Sequence, residues 1–425
     1  MEVAIFLCVL LVSIAIGIPI AFALMMCGLA LMFFLDMFDP MLVAQNLING
    51  SDNFTLLAIP FFVFAGEIMN VGGLAKRLID LPMRLVGHKA GGLGYVVIIA
   101  AVIMASLSGS PAADTAAIAA IMFPMMMKAN YSGPGSAGLI AAGGIIAPII
   151  PPSIPFIVIG VTAGVSISQL FMAGIVPGIL MGVALCIMWF FKSRNLPTAE
   201  RATGSEVWAA FKASIWALLL PVIVIGGFKT GVFTPTEAGA VASVYALFVS
   251  ICVYRELKLK QIYDALLGTA KTTAVIMLMV ASAQVSAYLM TIADLPLMVA
   301  EMLAPLTDSP RLLMGLILVV LLVMGMVLDL IPIVLILVPV LLPLVREAGI
   351  NEIYFCVMFI LCCSIGLITP PVGNVLNVVS SVTKVPFERA VLGILPYAGI
   401  LIILMFILLI FPDIVIVPME FLTAK

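Results

Sequence analysis

The sequence predicts an all-α polytopic membrane protein: an inverted repeat with two re-entrant helical hairpins and two broken helices. Three observations predict it. Hydrophobic residues make up 64% of the 425 and charged residues only 9%, against roughly a quarter charged in a soluble domain, so most of the surface must face lipid. Apolar stretches near the ~20 residues needed to cross a bilayer recur from end to end. Prolines also recur at a fixed offset. A shift of 219 carries Pro124 onto Pro343, Pro151 onto Pro370, Pro152 onto Pro371 and Pro177 onto Pro396, and carries Gly174 onto Gly393. With a two-residue slip Pro111 meets Pro332, and Asp80-Leu81-Pro82 resembles Asp294-Leu295-Pro296.

Taken in order, residues 1–53 hold two short spans, near 3–16 and 20–35, split by Gly17-Ile18-Pro19. The first has no basic start and no small-residue cleavage site, so it reads as retained. The first repeat unit covers 54–191. It opens with a span at 54–71 and an amphipathic arm at 74–88, where Leu74, Leu78, Leu81 and Leu85 share a face suited to lying along the membrane surface. A hairpin at 91–128 turns at Ser106-Leu107-Ser108-Gly109-Ser110-Pro111, a proline-broken helix fills 136–160, and a span follows at 171–191. Residues 192–271 read as a polar connector (192–212), spans near 214–228 and 236–253, and a basic loop (255–271). The second unit, 272–425, starts with a span at 272–290. It then repeats the pattern with an arm at 295–308, a hairpin at 311–346 turning at 325–332, a broken helix at 352–382 and a last span at 391–411.

All but four of the 19 basic residues fall on one side of this helix count. The exceptions are Lys229, Arg311, Arg346 and Lys425. The basic side should be cytoplasmic, which puts both termini outside and sets the two hairpins in opposite leaflets. The net charge of −2 gives no footprint for nucleic acid. The seven cysteines (Cys8, Cys27, Cys186, Cys252, Cys356, Cys362, Cys363) sit in apolar runs without ligand spacing and read as small buried side chains. Gly174, Gly178 and Gly182 offer a smooth face for close helix approach. Glu67 should pair with a basic residue of the arm or tune movement. Trp189, Trp208 and Trp216 flank the connector as interfacial anchors do.

Backbone broken at membrane depth is tolerated only where protein or a water-filled cavity satisfies it. Two breaks at corresponding positions point to the binding site of a secondary transporter. A hard cation such as sodium takes oxygens from hydroxyls, carboxylates and carbonyls. The first tip offers Ser106, Ser108 and Ser110, facing the broken backbone of Gly143, Gly144, Ile146, Ala147 and Pro148. The second offers Gly325 and Asp329, facing Gly366, Ile368, Thr369 and Pro370. A lone serine in a membrane helix often just bonds the preceding turn; a serine cluster at a turn, matched by an acid in the other half, favours ion or substrate binding. Asp329 costs about 2.5–3.5 kcal/mol in hydrocarbon, so it needs a partner, and a cation is the natural one. Half-helices starting near Asp114 and Asn374 aim positive ends at the midplane, which suits an anionic substrate. Ser153, Asp114, Thr115, Gly373 and Asn374 are the candidate contacts, and Asn377 and Ser380 fit interhelical packing better.

The chain closely resembles the large membrane subunit of tripartite ATP-independent periplasmic (TRAP) transporters. The resembling text is Ile59-Pro60-Phe61-Phe62, Ala65-Gly66-Glu67-Ile68-Met69 and Gly72-Gly73, then Ser106-Leu107-Ser108-Gly109-Ser110 and Gly366-Leu367-Ile368-Thr369-Pro370-Pro371, and the likeness runs over essentially the whole sequence. The resemblance implies an elevator-type transporter, in which hairpins and broken helices form a transport domain sliding on a scaffold of the N-terminal and 192–271 spans and the surface arms. It implies sodium-driven import of a small carboxylate, such as sialic acid or a C4-dicarboxylate, across the bacterial inner membrane. It also implies a separate four-helix membrane subunit and a periplasmic substrate-binding protein as partners. No organic cofactor and no transition metal is implied.

Two rival classes carry less. A passive ion or solute channel also uses re-entrant loops, but filters usually come from subunits around an axis, not from an inverted repeat. An intramembrane enzyme would need a base beside Ser108 or a second acid beside Asp329, and the one histidine, His88, reads as a solvated loop residue. No GxxxxGK[ST] loop supports an ATP-driven pump.

Overall fold

The computed structural model describes residues 2–423 except 195, 197, 199 and 308. Among them twenty α-helices and no strands are found. Seven helical stretches are long and apolar enough to cross a membrane.

Helices α1 (Glu2–Ala15) and α2 (Ile20–Phe34) are split at Gly17, whose φ of 82° is left-handed, and at Pro19. A helix that the apolar pattern does not announce, α3 (Pro40–Ser51), follows; Asp39 caps it by accepting from Met41 N, and Pro40 supplies the first helical position. A 3₁₀ turn at Phe54–Leu57 leads into α4 (Ala58–Val71) and the amphipathic arm α5 (Leu74–Val86). The first hairpin is α6 (Gly92–Ser108) and α7 (Pro111–Lys128). Its turn needs Gly109, which has a φ of 61° and leaves no room for a side chain: a Cβ would sit 2.8 Å from the Pro152 carbonyl oxygen. The first broken helix is α8 (Gly133–Gly144) and α9 (Ile154–Ala163), and α10 (Ile167–Ser193) closes the unit. Its glycine face packs as the spacing predicts, Gly174 on the Ile149 carbonyl, Gly178 on Ile150 and Gly182 on Val102.

Next come α11 (Gly204–Lys229), α12 (Pro235–Phe248) with a π-helical extension at Val249–Val253, and α13 (Leu259–Ile292). The second unit holds the arm α14 (Leu295–Thr307), hairpin α15 (Pro310–Gly325) and α16 (Leu330–Glu347), broken helix α17 (Glu352–Gly366) and α18 (Asn374–Thr383), α19 (Phe387–Ile410) and α20 (Asp413–Thr423). The last helix is also absent from the sequence reading.

Packing shows the repeat directly. The second arm of each hairpin lies on the distal half of the other unit's broken helix, α7 on α18 and α16 on α9. Each closing helix likewise crosses to the other unit, α10 on α17 and α19 on α8. Such exchanged pairs are what an internal two-fold relation produces. A second group, α1 to α4 with α12 and α13, packs mainly among itself, while α11 lies on the arm α5.

Some expectations are corrected. The connector assigned to 192–212 is shorter, because Thr203 and Glu206 form a capping box that starts α11 at Gly204. The loop assigned to 255–271 is mostly helix: α13 begins at Leu259 and runs 34 residues, about 51 Å at 1.5 Å per residue. Trp189 is no interfacial anchor; it is 4% exposed and stacks on Tyr131, and its indole N–H donates to the Gly91 carbonyl at 2.8 Å. Cys8 and Cys252 are exposed, not buried. His88 is half-buried. Glu67 has no ion pair among the described residues; the arm's Arg77 pairs with Glu256 instead, at 2.7 Å.

Candidate functional site

The hairpin tips form because serine, aspartate and proline stop one helix and start the next. Ser110 accepts from Ala113 N at 3.4 Å and Pro111 opens α7. Asp329 accepts from Leu330 N at 2.8 Å and opens α16. Each tip packs on its own unit's break. Gly109 lies against Pro152 and Ser153, and Gly325 against Cys363 and Gly366. The Met326 carbonyl accepts from both Val372 N and Gly373 N at 3.2 Å, tying the second tip to the second break.

Both tips face one cavity of about 550 Å³. Its wall carries Ser108 to Ala113 from the first tip, Asp329 to Ile331 from the second, Ile154 and Pro155 from α9, and Asn374 from α18. Four helix N-termini (α7, α9, α16 and α18) therefore converge on one space. Each brings the positive end of a helix dipole, so together they favour an anion. The opposite wall comes from α4, with Gly66, Glu67 and Asn70, and from α13, with Lys271 and Thr272.

Of the residues expected at the site, Ser108, Ser110, Asp329 and Asn374 line this cavity. The others sit behind the wall. The Ser106 hydroxyl donates back to the Ile103 carbonyl at 2.6 Å. Gly143, Gly144, Ile146 and Pro148 are buried in the first break, where the Pro148 carbonyl accepts from the Ser153 hydroxyl at 2.6 Å. Gly325, Gly366 and Ile368 are buried at the second, and Thr369, half-buried, donates to the Ile365 carbonyl at 2.8 Å. Gly373 is buried with a φ of 54°. Asp114, Thr115 and Ser153 are buried and off the cavity wall, with Asp114 2% and Thr115 0% exposed.

Sequence reasoning missed Lys271, Thr272 and Asn70 as cavity residues. Among the described residues Lys271 is the one basic side chain on the wall. Its signal was hidden because residues 255–271 read as a loop; helical spacing carried from Leu259 through Lys271 would have placed it inside α13.

Two hairpins, two breaks and converging N-termini around a cavity define a membrane transporter, and comparison with known proteins gives the family. The family model described as the DctM component of the tripartite ATP-independent periplasmic transporter matches residues 7–414. The chain is 62% identical over 422 residues to the 2,3-diketo-L-gulonate TRAP transporter large permease protein YiaN of Escherichia coli K12, covering 99% of each. It is 39% identical to the sialic acid TRAP transporter large permease protein SiaM of Vibrio cholerae, covering 93% of each. In fold it is similar to the YdaH transporter of Alcanivorax borkumensis, with a TM-score of 0.64, 15% identity and 86% of each chain covered. The chain belongs to the TRAP transporter family, as its large permease subunit. It is a multi-span inner-membrane protein and a transporter component, not an enzyme.

Proposed function

We propose that this permease imports a small organic acid anion by sodium-coupled secondary transport, receiving it from a periplasmic binding protein and working with a small four-helix membrane subunit. The convergence of four helix N-termini on one cavity carries the reading, because it supplies positive potential where a carboxylate would sit. Asp329, Ser108 and Asn374 face that space, and Lys271 stands opposite. The likeness to a 2,3-diketo-L-gulonate permease makes a hydroxylated sugar acid the first candidate, ahead of sialic acid and C4-dicarboxylates. Sodium would take the oxygens of the tips and breaks: Ser106, Ser108 and Ser110 with Gly143 to Pro148, and Gly325 and Asp329 with Gly366 to Thr369.

The transport step is an elevator motion. The hairpins and broken helices, held together by their exchanged packing, move against α1 to α4 and α11 to α13. Gly66 of α4 faces the first tip closely: an added Cβ would lie 3.0 Å from Ser108 Cβ, so glycine there keeps a side chain from pressing on the seam between the groups. The basic residues put the termini in the periplasm.

The test is uptake into proteoliposomes containing both membrane subunits, with the binding protein outside. Labelled sugar acid should accumulate under an inward sodium gradient. Uptake unchanged with potassium alone rejects sodium coupling, and single-channel currents would favour a passive pore.

A further inference from the structure

A second cavity, of about 300 Å³, lies at the start of α8, the end of the first broken helix remote from the break. Three helices meet there. Ser132 and Ser136 come from the start of α8, Trp189 and Lys192 from the end of α10, and Gly393 and Tyr397 from α19. Gly393 packs on the Pro134 backbone, which holds α19 close to α8 beside the cavity. Two hydroxyls of the lining have no partner. Tyr397 is 0% and Ser136 1% exposed, yet neither Tyr397 Oη nor Ser136 Oγ makes a hydrogen bond. Elsewhere the chain satisfies such groups: Tyr354 donates to the Leu408 carbonyl at 3.1 Å, and Ser364 to the Ile360 carbonyl at 2.7 Å. Positive charge gathers at the same place. Lys192 Nζ lies 5.0 Å from the centre of the Tyr397 ring, and no ion pair among the described residues reaches it. No acidic side chain lines the cavity among the described residues. The N-terminus of α8, capped by Ser132, adds the positive end of its dipole.

We propose that this cavity binds a small oxyanion of the phosphate class, on the side that the basic residues put in the cytoplasm and apart from the cavity between the tips. Buried hydroxyls without partners are costly. An oxyanion accepts hydrogen bonds on every oxygen, so it can take the Lys192 ammonium and both hydroxyls together. Water could bond the hydroxyls, but it would leave Lys192 and the helix end without a counter-charge. Size narrows the source. At about 30 Å³ per water the space holds roughly ten waters, enough for one hydrated phosphate and too little for a whole phospholipid. The anion is either free phosphate or the phosphate of a lipid headgroup whose chains stay outside, beside the exposed Leu392. Bound there, it ties the start of α8 to α10 and α19. The helix that unwinds at Gly144 is thereby held at its other end.

The site does not depend on sodium coupling, and its test keeps sodium fixed. Thermal unfolding of the purified permease with its small subunit is followed across a sodium phosphate series, with sodium chloride keeping sodium constant. Phosphate should stabilise the unaltered protein, as a ligand of the folded state does. In Lys192→Gln the half-saturating phosphate should rise by about tenfold or more, the scale of losing a hydrogen bond to a charged group. Tyr397→Phe should raise it by less. Without phosphate that variant should unfold no earlier than the unaltered protein, because the hydroxyl it removes had no partner. A merely structural tyrosine would do the reverse, lowering the unfolding temperature and leaving the titration unchanged. Phosphatidylglycerol added to the micelles separates the sources: stabilisation by the lipid and not by inorganic phosphate, lost in Lys192→Gln, assigns the site to a headgroup. A response that Lys192→Gln keeps and Lys271→Gln loses puts the anion between the tips and overturns the site. An unaltered protein that responds to neither phosphate nor the lipid overturns it too. If Lys192→Gln does not fold, an unchanged Tyr397→Phe titration overturns it instead.

Discussion

The two repeat units break their helices at matching prolines but cover the breaks differently. In the first, every residue from 141 to 160 is buried. In the second, Thr369 and Pro370 are half-buried, and Pro371, Val372 and Asn374 are exposed. The two units also differ at a pair of glycines that the 219-residue shift makes equivalent. Gly174 of α10 sits on the first break, against the Ile149 carbonyl and Phe156. Gly393 of α19 instead sits on Pro134 and, with Gly138, makes the α8 crossing. The repeat thus sets where the chain unwinds, and the neighbours decide which unwound segment is locked and which is open.

The contrast can be tested in four ways, the largest expected effect first. Asp329→Asn removes the one acid at the open tip and should weaken sodium or substrate binding by about 2–5 kcal/mol, the scale of losing one partner of a close charge pair. Uptake and sodium titration read it, and normal values in both would remove Asp329 from the site. Next, Gly174→Val and Gly393→Val should each destabilise the fold by about 1–3 kcal/mol through overpacking. Only the first should also blunt the sodium response, since only it deforms a break; equal effects on the response would erase the contrast drawn here.

Ser108→Ala comes third. It removes the donor to Asp114 and the acceptor for Ser110 N, worth about 0.5–1.5 kcal/mol per hydrogen bond. Half-saturating sodium should rise modestly while folding is kept, and a sodium titration checks it.

The smallest effect belongs to a pair outside both hairpins. The Arg77 guanidinium beside Glu256 holds that carboxyl below the usual glutamate range. Because the folded-state pKa is depressed, the stabilisation exists above the ordinary glutamate pKa and disappears as pH falls through the lowered value. Glu256 is largely exposed, so Glu256→Gln should cost about 0–1 kcal/mol at neutral pH. Thermal unfolding of the two proteins should converge in acid, and a gap that persists there would assign the effect to packing of the Arg77 guanidinium on Tyr254.

Much of this fold could be read locally. Proline and glycine act on their own backbone, so the tips at Gly109 and Asp329 and the breaks near Pro151 and Pro370 were visible as text. So was the arm at Leu74, because a surface helix must show one apolar face. The short α3 and α20 and the true start of α13 were not visible. Polar residues such as Gln45 and Asn46 or Lys260 and Gln261 read as loop, although capping and tertiary packing make them helical.

The sequence by itself determined that the chain lives in lipid and that it unwinds twice at equivalent places, because hydration of apolar side chains and the geometry of proline are properties of single residues. Only the tertiary structure decided that four helix N-termini share one cavity, that Lys271 and Glu67 face it while Asp114 and Thr115 lie behind it, and that the first break is buried throughout while the second is partly exposed. The shared cavity depends on contacts between segments more than a hundred residues apart, α7 with α18 and α16 with α9, and no local rule fixes which surface a helix meets.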